Sequence, residues 1–228
     1  METRTRIKIC GICEMSDARV AVEAGVDALG FIFAPASPRR IDPEKARDII
    51  ASLPPFVDAV GVFMDEELAH VEEIVQFCGL TTVQLHGSES PEYCNELDCR
   101  VMKAFRISAE RLDSGEVDFG PYYGAVEGFL LDTYHRQMAG GTGQPFDWRL
   151  LERVKPAGPV ILAGGLTPEN VATAIQLVRP FAVDANSGVE EAPGRKGHDA
   201  IRRLVRAVRQ ADAALSAASS DGQSGDGI

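Results

Sequence analysis

Cys10 and Cys13 stand in a C-x-x-C spacing within the stretch RIKICGIC. Three chemistries use such a pair: a thiol–disulfide centre, half of a zinc site, or one working thiol with a bystander. Zinc needs two further well-spaced ligands, yet Cys78, Cys94 and Cys99 form no second C-x-x-C. Redox units of this kind open a helix in a fold of about half this length. Period-two alternation puts Lys8 and Cys10 on one face of a strand and Ile7 and Ile9 on the other. A neighbouring ammonium favours the thiolate, which is the form that acts as base or nucleophile. A small buried filler is the alternative for Cys10, since free cysteine is among the most buried residue types.

Other residues with chemical potential sit at the ends of apolar runs. Asp132 follows Phe129-Leu130-Leu131. A carboxylate there is a helix cap, half of an ion pair, or an acid whose pKa is raised by desolvation. Asp184 closes a second apolar run, and an ion pair with Lys8 is its simplest role. His86 ends VQLH. Gly164 and Gly165 in AGGLTPENV, and Asn186, Ser187 and Gly188 in DANSGVE, let backbone N–H groups approach an anion such as phosphate. Arg39 in SPRR carries a fork suited to a carboxylate, or is a solvated surface charge.

These residues must be held by elements that alternate along the whole chain. Strand patterns cover 6–10, 27–33, 58–64, 81–87, 100–105, 127–132, 159–165 and 181–188, and helical patterns lie between them. Ser16, Asp42-Pro43 and Thr167-Pro168 read as helix starts, and Gly25 and Gly79 as helix stops. Several strands are continuous apolar runs, as parallel strands covered by helices should be. Eight such units predict an α/β fold, a single (β/α)8 TIM barrel over 1–215, with the fifth helix weak or missing. A doubly wound open sheet is the competing arrangement. The glycine-rich segment 216–228 reads as a disordered tail. In a barrel the C-terminal strand ends carry the chemistry, and the loops after strands seven and eight take phosphate.

The 228 residues carry a formal net charge of −11, which argues against a nucleic-acid partner. A charged start leads straight into a strand, so no signal peptide is read, and no apolar run suits a membrane span. Five scattered cysteines suit a reducing cytoplasm. The acidic, lysine-poor composition fits either a high-salt adaptation or an arginine-rich codon usage.

Taken in order, KICGI, DALGFIF, SPRRI, VGVF, VQLHG, LLDT, GGTG with FDW, LAGGLTPENV, RPFAVDANSGVE and PGRKGHD resemble the phosphoribosylanthranilate isomerases of tryptophan biosynthesis. The resemblance implies an Amadori rearrangement of an aminoaldose to an aminoketose, with no cofactor and no metal. It implies Cys10 as general base, Asp132 as general acid and Arg39 on the anthranilate carboxylate. It further implies Gly164, Gly165, Asn186, Ser187 and Gly188 at the phosphate, with His86 and Asp184 lining the pocket. The implied partner is the small-molecule substrate, with the protein a monomer or homodimer. The chain departs from the family at Asn186, where serine is common, at Cys13, and in a slightly long loop, YHRQMAGGTG. A histidine-pathway isomerase of the same chemistry would use an aspartate as base, which Cys10 argues against. A binding-only barrel is argued against by the presence of both Cys10 and Asp132.

Overall fold

A computed structural model describes residues 4–133, 148–154 and 156–221. Eight parallel strands close into a barrel in sequence order: β1 (Arg6–Ile9), β2 (Ala28–Ile32), β3 (Asp58–Phe63), β4 (Thr82–Leu85), β5 (Arg100–Arg106), β6 (Gly128–Asp132), β7 (Val160–Ala163) and β8 (Ala182–Ala185). The barrel expectation holds, and the open sheet is excluded because β1 pairs with both β2 and β8. At the closing seam Lys8 lies opposite Asp184.

Alternation divides the core in two. Outward residues such as Ile7, Ile9, Leu29, Phe31, Val83 and Leu85 join the main apolar layer beneath the helices. Inward residues are mixed. Ala104, Leu130, Ile161, Ala163 and Ala182 form one apolar group, and Cys10, Ile32 and Val62 another. The buried polar residues Lys8, Gln84 and Asp184 complete the inward set.

The helices are α1 (Met15–Ala24), α2 (Pro43–Ile50), α3 (Leu68–Cys78), α4 (Pro91–Glu96), α5 (Ala109–Asp113), α6 (Val171–Val178) and α7 (His198–Asp221). Asp42 caps α2 by accepting from the Glu44 amide at 3.0 Å. Gly25 and Gly79 end α1 and α3 in left-handed conformation, φ 89° and 71°. Two expected starts are shifted. Ser16 lies inside α1, whose cap position is Glu14. Thr167-Pro168 forms a turn ahead of α6, because Asn170 accepts from the Thr167 amide and donates to the Gly165 carbonyl, satisfying the backbone outside a helix.

The fifth helix is one short turn, as expected. Its place is filled by aromatic rings. Phe119 meets Phe105 edge-on with centroids 4.7 Å apart, and Tyr122 meets Phe105 at 5.3 Å. After β6, residues 148–153 form a 3₁₀ helix rather than the expected α-helix, while the loop 134–143 and Lys155 lie outside the described residues. A short hairpin of β9 (Glu190–Ala192) and β10 (Arg195–Lys196) follows β8.

The boundary expected at residue 216 is not where α7 stops. The helix continues to Asp221, the last described residue, through alanines and serines that do not break it. Among the described residues no helix is long and apolar enough to cross a membrane.

Helix α7 closes the ring by packing on α1 and α6. Leu204 is fully buried on α7, as are Ile201 and Val208, and contributes to its docking. Leu204→Ala is expected to cost about 2–5 kcal/mol of stability, read from urea unfolding. A loss under about 0.5 kcal/mol would show that α7 is loosely docked.

Candidate active site

At the C-terminal end of the strands lies a cavity of about 440 Å³. Cys10, Arg39, His86, Asp132, Gly164, Gly165, Asp184, Asn186, Ser187 and Gly188 all line it. The residues that the sequence singled out are therefore brought to one mouth. Gln84 also lines it, and was missed. The signal was available: alternation on β4 puts Val83 and Leu85 outward and so turns Gln84 into the barrel.

On the β1 side, Lys8 Nζ donates to Asp184 Oδ2 at 2.7 Å, with both side chains almost wholly buried. The simplest role foreseen for Asp184 is thus present. Its second oxygen, Oδ1, is buried and has no hydrogen-bond partner among the described residues. Such an acceptor in a cavity wall is suited to a ligand hydroxyl. Burial is the largest influence on Lys8 and lowers its pKa, but Asp184 and Cys10 together carry it above the ordinary value.

Cys10 is buried on the same side. Here the expected direction is reversed. Desolvation pushes the thiol up more strongly than the Lys8 and Lys196 ammoniums pull it down, so Cys10 sits above the ordinary thiol range. The Cys13 thiol donates to the Arg39 carbonyl at 3.4 Å, and all five cysteines are free. Room for Cys10 and Lys8 is provided by Gly30 on β2. A methyl there would lie 2.8 Å from Cys10 Sγ and 3.1 Å from Lys8 Nζ.

On the opposite side, His86 Nε2 lies 3.2 Å from Asp132 Oδ2, and His86 Nδ1 lies 3.2 Å from Gln84 Nε2. In this amide orientation Gln84 can only donate, so Nδ1 accepts and the imidazole proton sits on Nε2, facing Asp132. The burial assumed for Asp132 is partial, since its side chain keeps 19% of its exposure. The His86 loop is held from below. Lys103, buried, donates to the Gly87 carbonyl at 2.7 Å and to Glu89 at 3.0 Å, and Glu89 accepts from the Gly87 amide. Thr133 ties the end of β6 to the next loop through the Ala163 and Gly164 carbonyls.

The two glycine loops pack together. Gly164 and Gly165 have φ of 94° and 66°. A methyl on Gly188 would meet the Leu166 carbonyl oxygen at only 1.9 Å, so no larger residue fits there. The amides of Gly164 and Gly165 donate to no carbonyl among the described residues, an arrangement suited to an anion.

Arg39 is not a solvated surface charge. Its Nε and Nη2 bond Glu190 at 2.7–3.0 Å. Lys196 Nζ, fully buried, bonds Glu190 Oε1 and Asn186 Oδ1, each at 2.9 Å. Burial pushes the Glu190 carboxyl up, but Arg39 and Lys196 outweigh it and hold the group below its ordinary range. Burial lowers Lys196 more than Glu190 raises it. Glu190 and Lys196 carried no sequence signal, because each looks like an ordinary charge of an exposed hairpin. Among the described residues no group of three His, Cys, Asp or Glu side chains is arranged to hold a metal.

The family model for N-(5'-phosphoribosyl)anthranilate (PRA) isomerase matches residues 7–207. A Geobacter sp. (strain M21) N-(5'-phosphoribosyl)anthranilate isomerase is 49% identical over 206 residues, covering 90% of this chain and 98% of its own. The one from Moorella thermoacetica is 52% identical over 209 residues, covering 91% of each. The Thermotoga maritima phosphoribosyl anthranilate isomerase structure superposes with a TM-score of 0.80 at 43% identity, covering 90% of this chain and 99% of its own. A further isomerase structure, in complex with reduced 1-(o-carboxyphenylamino)-1-deoxyribulose 5-phosphate, is 42% identical with a TM-score of 0.77, covering 90% and 99%.

The crowding at Gly30 generates a test. Gly30→Ala should displace Cys10 and lower kcat by about 10- to 100-fold, with KM little changed because the atoms nearest the added methyl belong to Cys10 and Lys8. Unchanged kcat in a folded variant would show that Cys10 need not hold this position.

Proposed function

The chain belongs to the phosphoribosylanthranilate isomerase family, and from that premise we propose that Cys10 is its general base and Asp132 its general acid. The enzyme converts N-(5-phosphoribosyl)anthranilate to 1-(2-carboxyphenylamino)-1-deoxyribulose 5-phosphate in tryptophan biosynthesis. What supports the assignment is that one cavity is lined by both a thiol, Cys10, and a carboxyl, Asp132, together with Arg39 and the two glycine loops.

In this reading Arg39 takes the anthranilate carboxylate and the loops at Gly164-Gly165 and Asn186-Ser187-Gly188 take the phosphate. Asp132 protonates the ring oxygen and the furanose opens to a protonated Schiff base. Cys10 takes the proton from the adjacent sugar carbon. The enolamine then tautomerises to the ketone as the enol proton is lost and the former aldehyde carbon is protonated. Asp132 and Cys10 return to their starting states by proton exchange with water, so the reaction is an isomerisation with no external oxidant. Asp184 Oδ1 accepts a hydroxyl of the opened sugar. His86 orients the Asp132 carboxyl. Anchoring the substrate at both ends supplies positioning, a large contribution in favourable cases. Free thiols suit a reducing cytoplasm, and the protein acts as a monomer or homodimer.

Purified protein should consume the substrate, read as loss of anthranilate-type fluorescence. Asp132→Asn should fall below about a tenth of wild-type turnover with its melting temperature kept, because an amide cannot donate the proton. Cys10→Ser should lose nearly all turnover and Cys13→Ser keep most of it. Equal losses in the two cysteine variants would return the pair to a redox reading.

The raised thiol adds a pH signature. A group with a higher pKa ionises at higher pH, so the alkaline rise of kcat/KM, which reports the free enzyme, should continue past about pH 8.5. A plateau complete by about pH 7.5 would mean that the base is not this thiol.

A further inference from the structure

Glu190 is a buried carboxylate that the proton transfers do not use. It sits where the β9–β10 hairpin folds back over the barrel mouth. Its carboxylate also accepts from the Gly194 amide at Oε1, 3.2 Å, and the hairpin is tied at its base by the Gly197 amide donating to the Val189 carbonyl at 2.8 Å. A guanidinium has five N–H bonds. Glu190 engages Nε–H and Nη2, which leaves the Nη1/Nη2 edge of Arg39 for another carboxylate. Arg39 also lines the cavity and keeps 21% of its side-chain exposure.

We propose that Glu190 is a positioning residue: its carboxylate clamps one edge of Arg39 so that the other edge stands ready for the carboxylate of the substrate. The inference rests on the reading of Arg39 given above and extends it to a residue with no contact to the substrate. A long arginine side chain loses much rotamer freedom when it grips a ligand. Glu190 removes that freedom before the ligand arrives, so binding strengthens without any new contact to the substrate. Lys196 offsets the second buried charge, so the clamp is a three-membered network rather than a lone pair. Because Lys196 reaches the Asn186 carbonyl and side chain on its own, the phosphate loop does not depend on Glu190.

The test compares Glu190→Gln, Arg39→Met and the double variant. KM, kcat, the inhibition constant of inorganic phosphate and the melting temperature are measured for each. Glu190→Gln should raise KM by about 10-fold, the scale of a lost charge-assisted hydrogen bond, with kcat and the phosphate constant within about twofold of wild type. In the Arg39→Met background the same change should add less than about twofold to KM, since the clamp then has nothing to hold. Should Glu190→Gln fail to fold, Glu190→Asp keeps the charge, shortens the reach by one methylene, and should still raise KM without moving the phosphate constant. Raised KM in Arg39→Met with unchanged KM in the Glu190 variants overturns the clamp and leaves the role of Arg39 standing. Unchanged KM in Arg39→Met overturns both. A phosphate constant that rises in parallel with KM in the Glu190 variants would show a collapsed loop, and that also overturns the clamp.

Discussion

The structure turns on a buried ion pair at the seam of the barrel. Lys8 on the first strand meets Asp184 on the last, opposite one another in register, and neither is open to water. Removing either charge alone would strand its partner without solvent, a cost of several kcal/mol, so the pair fixes which residues of β1 and β8 face each other. That register decides everything above it. It puts Cys10 at the mouth and places the Asn186-Ser187-Gly188 loop beside the β1 end, where the Cys10 amide donates to the Ala185 carbonyl at 2.9 Å. A shift by one residue would turn Cys10 out toward the helices and bring Ile9 into the cavity.

The proposed anion anchors are built on a second level. Glycines after β7 and β8 let two loops touch through their backbones, with Gly188 against Leu166. The proposed carboxylate anchor is built instead from side chains, Arg39, Glu190 and Lys196, which span the β2 loop and the hairpin after β8. The difference suits the two ligands. A phosphate accepts N–H bonds from many directions and is well served by a backbone cradle. A planar carboxylate needs two parallel donors, which a held guanidinium presents.

Strand alternation and capping residues made the barrel legible before any coordinates. Lys8 and Cys10 could be placed on one face by period two, and Asp132 and Asp184 by their position after apolar runs. What stayed hidden depended on three-dimensional neighbours. Glu190 and Lys196 look like surface charges in a turn, and only the folding back of the hairpin buries them. Ser16 looks like a cap, yet α1 begins one residue earlier and leaves it inside. The end of α7 was misplaced because small polar residues in a tail say little about helicity when a long amphipathic helix already leads into them. The thiol direction failed for a quantitative reason. The sequence shows the ammonium that would lower the Cys10 pKa, but not the completeness of burial that raises it further.

That reversal bears on how a thiol can serve as base here. A strongly perturbed, low-pKa thiolate would be abundant but a weak base toward a carbon–hydrogen bond, since basicity falls with pKa. A buried thiol is scarce as thiolate in the free enzyme, and each thiolate that forms is a stronger base. The proposed sequence compensates for the scarcity. Ring opening creates a protonated Schiff base, a positive charge next to the carbon that must lose its proton. Inside a water-poor cavity that charge favours the thiolate and acidifies the carbon together, because an opposite charge within a few ångströms stabilises the anionic form. The base is thereby strengthened by the product of the acid step. In the proposed sequence the acid, Asp132, acts first, and the Cys10 thiol becomes effective as base after it has done so.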